Sequence, residues 1–246
     1  MLLRRLVNAA RRQDWFTVLV EFLIVVAGIF VGLQVNEWAG NRAERALEKA
    51  AIERLHLEAQ NAYESLALMS ARTERLNQVR RNAVAFIDSD APLPENELPI
   101  KIGINTLAQY PPVSIVRVAY DELMSSGQMQ LIQSADLRDR VSEFHVNVDE
   151  SNRLLNGFAD SGDLFWPAYR RNVVWRYNPE ATGTDILLST YDWNSIRQDR
   201  DFITIAIGAL RNQVVAETML LELRDEAKSM CDALAGELGQ ECETVE

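Results

Sequence analysis

Apolar residues run almost unbroken from Trp15 to Val35 (WFTVLVEFLIVVAGIFVGLQV) and then give way to a polar chain whose apolar positions recur every three or four residues. At 1.5 Å per residue the first stretch makes a helix of about 30 Å, the thickness of a bilayer's hydrocarbon core. A cleaved signal sequence has a shorter apolar region followed by small residues, whereas Asn36, Glu37 and Trp38 follow here, so the pattern predicts an uncleaved transmembrane anchor. Trp15 and Trp38 stand at its two ends, where indole rings settle at headgroup depth. No second span is expected, because FITIAIGAL at 202–210 is broken by Arg211, far short of the roughly 18 residues needed.

Beyond the anchor the pattern is helical. Ala, Leu, Glu and Arg dominate residues 41–88, with no Gly after Gly40 and no Pro until Pro92, which predicts one long helix. Leu55, Ala59, Ala62, Leu66, Met69, Thr73, Leu76, Arg80, Ala83 and Ile87 fall on one stripe of that helix, interrupted by Thr73 and Arg80. Pro92, Pro94, Pro99, Pro111 and Pro112 mark residues 89–113 as a loop, with a short extended piece at IKIGI. Further helices are expected over 114–126, ending at Gly127, and over 134–175, capped by Ser134 and kinked at Pro167. A connector over 177–197 with Asn178-Pro179 and Thr182-Gly183 turns leads to a last helix over 199–238. That helix carries Ile203, Ile207, Leu210 and Val214, then Ala216, Leu220, Leu223, Ala227, Met230 and Leu234, at core spacing. With no alternating strand in view, the fold class expected is all-α: one transmembrane helix (15–35) between a short cytoplasmic terminus (1–14) and a helical bundle (36–246).

Charge adds an orientation. The chain has 25 basic and 36 acidic residues. Arg4, Arg5, Arg11 and Arg12 give residues 1–36 a net +2 and leave −13 on the rest. Cationic flanks stay on the cytoplasmic side, so the bulk of the chain is expected outside. So acidic a domain lacks the basic face that nucleic acid requires.

Inside the span, Glu21, Gly28 and Gly32 lie within about 40° of one another on the helix surface. A GxxxG pair admits a second helix, and a carboxyl in lipid is costly unless protonated or paired. This face therefore predicts a helix–helix contact with another membrane protein or a second copy. The plainer reading is a chance GxxxG with Glu21 close enough to the cytoplasmic surface to reach water.

Chemistry is harder to find. His56 and His145 are the only histidines and neither has metal-ligand spacing, so no metal is expected. Nucleophile-elbow, Walker and dinucleotide glycine motifs are all missing, so no cofactor and no enzyme activity are predicted. Cys231 and Cys242, eleven apart with Gly236 and Gly239 between them, leave three options open: an internal disulfide, an interchain one, or free thiols. Phe165 to Trp193 holds seven aromatics, about three times the chain's average density. Within it Trp166, Arg170, Arg171, Trp175 and Trp193 are weak ligand-site candidates, by stacking and bidentate hydrogen bonding, against a plainer reading as a satellite core.

The run EFLIVVAGIFVGLQVNEW (21–38) resembles the signature of an uncharacterised family of bacterial single-pass membrane proteins, domain of unknown function 6090. The matching positions are Glu21, Gly28-Ile29, Leu33-Gln34, Asn36 and Trp38, and Gly32 departs from the family's more usual Ala. A second block, AYDELMSSGQMQLIQSADLRDRVSEFH (119–145), resembles the family's Tyr-x-x-Leu-x-x-Ser-Gly segment, and together the blocks cover about a fifth of the chain. The resemblance implies a bacterial inner-membrane protein with a helical periplasmic domain and adds no activity. The function expected is a membrane-anchored interaction or scaffold protein. The alternative is a ligand-sensing ectodomain coupled to a partner membrane protein, and an enzyme of unrecognised type comes last.

Overall fold

The Ala- and Leu-rich composition up to Pro92 gives a single helix, α1 (Trp15–Ile87). The computed structural model describes residues 15–181 and 187–242. The Arg4, Arg5, Arg11 and Arg12 flank, the Trp15 side chain and the Thr182-Gly183 turn lie outside what is described. The chain forms two units, Met1–Ala51 and Ile52–Glu246, and α1 contributes to both. It is 79 % helical and 4 % strand, an all-α fold.

In the second unit, α1 stops where Ser89 Oγ donates to the Phe86 carbonyl ahead of Pro92. The 89–113 stretch is not all loop, because α2 (Leu98–Thr106) occupies its middle. IKIGI is helical rather than extended: Pro99 sits in the first turn, where its missing N–H costs nothing, and Ile100 and Ile104 are buried one turn apart. Gly103 explains the glycine in that run. A Cβ there would lie 2.5 Å from Ala83 Cβ and 2.7 Å from the Val79 carbonyl oxygen, so only a bare Cα lets α2 lie against α1.

Helix α3 (Val118–Ser125) starts four residues later than expected and has no cap of its own. Glu58 of α1 caps it from across the fold, accepting from the N–H of Ala119 (2.5 Å) and Tyr120 (3.2 Å). Gly127 follows at φ 69°, the left-handed conformation that glycine adopts without strain. A 3-10 turn (Gln128–Leu131) leads to α4 (Ala135–Ser161), whose Ser134 hydroxyl accepts from Leu137 N–H at 3.3 Å.

The expected 134–175 helix is two helices and the start of a strand. α4 ends at Ser161, a 3-10 turn covers Gly162–Leu164, and α5 runs Phe165–Asn172. The break at Gly162–Leu164 falls within the turn before Pro167, whose ring crowds the carbonyl four residues back. Then comes a hairpin the sequence pattern did not announce, β1 (Val173–Tyr177) antiparallel to β2 (Leu187–Tyr191). VVWRY is β-branched and aromatic enough for a strand, but Val174, Trp175, Arg176 and Tyr177 are all exposed, so no inside–outside alternation marks it. The connector also holds α6 (Trp193–Gln198) before α7 (Arg200–Leu238), which Asp199 caps by accepting from Phe202 N–H at 2.9 Å.

On α7 the expected second half is buried at Ala216, Leu220, Leu223, Ala227, Met230 and Leu234. In the first half Ile203 is buried and Leu210 packs against the core as expected, but Ala206 and Gln213 also turn inward and Ile207 is 46 % exposed. Apolar residues at 207 and 214 concealed that the inward positions carry a small residue and an amide. One core cluster joins Ala83, Phe86 and Ile87 of α1 with Ile104 of α2, Phe165 and Tyr169 of α5, Tyr191, Ile196 and Phe202.

Candidate functional site

In the first unit, side chains from Leu19 to Trp38 point away from any protein core. Leu19, Phe22, Leu23, Ile24, Val25, Ile29, Phe30, Val31, Leu33 and Val35 are each more than half exposed. This helix is long and apolar enough to cross a membrane by length and composition, with a window mean hydropathy of 2.1 and 0 % of that window buried. Glu21, Gly28 and Gly32 are exposed on it, and a Cβ at either glycine would meet nothing within 4 Å.

In the second unit, the aromatic segment folds around two hydroxyls. Tyr169 of α5 and Tyr191 of β2 both donate to Asn105 Oδ1 of α2, Tyr191 at 2.5 Å. Trp175 Nε1 donates to the Tyr169 hydroxyl at 3.2 Å. Trp193 stacks on Tyr191 at 4.7 Å between centroids, meets Phe86 edge-on at 5.4 Å, and donates from Nε1 to Glu97 at 3.2 Å. Burial pushes both tyrosine hydroxyls above their usual range, which favours the neutral, hydrogen-donating form. The Glu97 carboxyl is held below its usual range by Lys101 at 2.9 Å and by the Trp193 N–H.

The five ligand-site candidates have separate partners. Trp166 is half-buried against Phe165 and Tyr169, Trp175 hangs from Tyr169, and Trp193 is tied to Glu97. Arg171 approaches Asp199 at 3.4 Å, and Arg170 faces solvent. The cluster is built as core, with its polar atoms turned onto Asn105 and Glu97, two residues that no local motif marks.

A second polar group lies between α1, α2 and α7. Arg80 donates to Asn77 Oδ1 (2.7 Å), Gln213 Oε1 (2.7 Å) and Thr106 Oγ1 (3.1 Å). Asn77 donates to Glu217 (2.7 Å) and to the Gln213 carbonyl (3.0 Å), and Gln213 donates to the carbonyls of Leu107 and Gln109. Burial lowers the Arg80 guanidinium to about 10. The interruption of the stripe at Arg80 was the one sequence signal for this network.

His145 is 3 % exposed, stacks on Tyr120 at 3.8 Å, and leaves Nδ1 without a partner. Burial, reinforced by the Arg117 charge, lowers it to about 4. His56 Nε2 is also unpartnered, but no group of three or more His, Cys, Asp or Glu able to hold a metal exists among the described residues. A shallow open groove of about 310 Å³ between α4 and α7 is lined by Glu150, Glu222 and Glu226, with Asn147 donating to both oxygens of Glu226.

Cys231 and Cys242 are bonded to each other, with Cα atoms 5.6 Å apart. The helix ends at Gly239, φ 65°, where the Gln240 N–H returns to the Ala235 carbonyl at 2.9 Å and turns the chain back towards Cys231. No family model, curated protein or solved structure matches this chain.

Proposed function

We propose that this chain is a single-pass inner-membrane interaction protein, with its N-terminus in the cytoplasm and its helical domain in the periplasm. The observation that carries the reading is the apolar first unit, whose Leu19–Val35 side chains have no protein to cover them. Lipid is the solvent that removes that cost. The Arg4, Arg5, Arg11 and Arg12 flank supports the orientation, and the Cys231–Cys242 bond supports an oxidising compartment for the second unit. The resemblance of residues 21–38 supports the bacterial inner membrane. Glu21, Gly28 and Gly32 supply the face on which a partner's membrane helix, or a second copy's, would pack. The role is scaffolding rather than catalysis. A sensing role draws less support, because the aromatic segment spends its polar atoms on its own core.

Affinity purification from native membranes through a C-terminal tag, after alkaline carbonate washing, tests this reading. The chain is expected to stay in the washed membrane and to bring down a membrane partner reproducibly. Release by carbonate would overturn the anchor. Recovery of the chain alone, at the size of a single copy, would overturn the interaction role.

A further inference from the structure

Among the described residues, the outward backbone groups of Ser189 and Tyr191 on β2 have no partner. Asp192 N–H donates to the Asn172 carbonyl at 3.2 Å, one step outside the register Val173↔Tyr191, Val174↔Thr190, Trp175↔Ser189. Alternate pairs in an antiparallel ladder exchange hydrogen bonds, so Val174 bonds Thr190 and Arg176 bonds Leu188. The N–H and C=O of Leu187, Ser189 and Tyr191 consequently point away from β1. Among the described residues, nothing hydrogen-bonds the outward backbone groups of Ser189 or Tyr191. The other edge is less open, because the Val173 N–H is already taken by the Tyr169 carbonyl at the end of α5.

Exposed edges are ordinarily blunted by charge, proline or a bulge. Leu187-Leu188-Ser189-Thr190-Tyr191 has no charge and no proline, pairs without a bulge, and leaves Leu188 53 % exposed. A row of alternating donors and acceptors is matched by another strand, and a two-stranded hairpin is marginal until further strands join it. The three outward residues are spaced evenly about Ser189, so the strand complements itself. We propose that β2 pairs antiparallel with β2 of a second copy, across a two-fold axis at Ser189, to form one four-stranded sheet. Ser189 then faces Ser189, Leu187 faces Tyr191, and exposed Leu188 covers exposed Thr190 of the second copy. Pairing β1 with β1 about Trp175 would instead set Arg176 against Val174 and begin at the committed Val173. The inference rests on the hairpin alone and holds whatever the apolar helix does.

The test uses the full chain in detergent micelles, where its two native cysteines are already bonded to each other. A symmetric hydrogen-bonded pair at position 189 has Cα atoms about 5.5 Å apart, within disulfide range, whereas the two copies of position 190, each opposite Leu188, would lie diagonally about 8 Å apart, beyond it. On mild oxidation Ser189→Cys is expected to give a covalent dimer at least about tenfold more abundant than Thr190→Cys gives. Ser189→Pro leaves the β1–β2 ladder intact, because the Ser189 N–H does not donate to β1, and is expected to shift sedimentation from dimer to monomer. The Ser189→Cys cross-link is expected to persist when Gly28→Leu is added. Equal cross-linking at 189 and 190, a dimer indifferent to Ser189→Pro, a monomeric parent chain, or loss of the cross-link with Gly28→Leu would each overturn the proposal, the last in favour of association through the apolar helix.

Discussion

Arg80 Nη1 and the Gln213 side-chain oxygen lie 2.7 Å apart between α1 and α7, both residues almost wholly buried. The guanidinium is surrounded by neutral oxygens from Asn77, Gln213 and Thr106, and the nearest carboxylate in the network, Glu217, reaches it through Asn77. Gln213→Leu would strand both the Arg80 donor and the Leu107 carbonyl, at a cost of about 2–4 kcal/mol. Arg80→Met removes the charge together with its need for partners and is expected to cost less. Urea unfolding of the two variants checks the order; the reverse order would show that Gln213 is not the partner that matters.

Gly103 sets how close α2 comes to α1. Gly103→Ala should destabilise by about 1–3 kcal/mol, since one obstacle is the Val79 backbone oxygen at 2.7 Å, which cannot rotate aside. Adding Ala83→Gly removes the side-chain obstacle and leaves the carbonyl, so only partial rescue is expected in thermal melts. Full rescue would place the whole conflict at Ala83.

His145 carries a pH dependence of known sign. Its folded value of about 4 lies below the ordinary 6.5, so the unfolded chain binds the proton first as pH falls. Stability is expected to drop between about pH 6.5 and 4, by an amount on the order of 3 kcal/mol, and to receive no further loss from this group below that. Arg117 beside it is held by Asp121 at 3.0 Å and Asp149 at 2.8 Å. His145→Phe isolates the histidine: it should match the parent at pH 8 and lose less stability by pH 4.

The Cys231–Cys242 bond should add two hydrogens to the intact mass on reduction. Replacing both cysteines with Ala is expected to lower stability by about 2–3 kcal/mol, the loop-closure value for a short loop. An unchanged mass after reduction would show that the bond does not form in the isolated protein.

Trp175 is 44 % exposed, and its one polar contact among the described residues is the Tyr169 hydroxyl. Trp175→Phe should therefore cost about 1 kcal/mol of stability and change nothing in partner recovery from membranes. A lost partner with stability intact would return this segment to the list of binding surfaces.

Where local chemistry decides structure, the sequence was readable. Ser134, Gly127 and Gly239 act where capping rules put them, and the Leu55–Leu66 positions are buried at the expected phase. Features set by remote partners were not legible. The cap on α3 comes from Glu58, 61 residues from Ala119 in the chain. β1 is exposed from Val174 to Tyr177 and so lacks the alternation that reveals a strand, and α2 sits among prolines that suit a first turn as well as a loop. The candidate residues near Trp175 were visible as an aromatic cluster, but the residues that occupy their polar atoms, Asn105 and Glu97, lie on or beside a helix that was itself unforeseen.

The Asn77–Arg80–Gln213 layer also divides the second unit. On α1 it separates buried Leu55, Ala59, Ala62 and Leu66 from Ala83, Val84 and Ile87, and on α7 it separates Phe202 and Ala206 from Ala216 and Leu220. Apolar side chains on one side of a hydrogen-bonded layer gain little from those on the other. The two halves are thus suited to open as separate cooperative blocks, and amide hydrogens at Ala62 and Ile87, though on one helix, would exchange with solvent on different clocks.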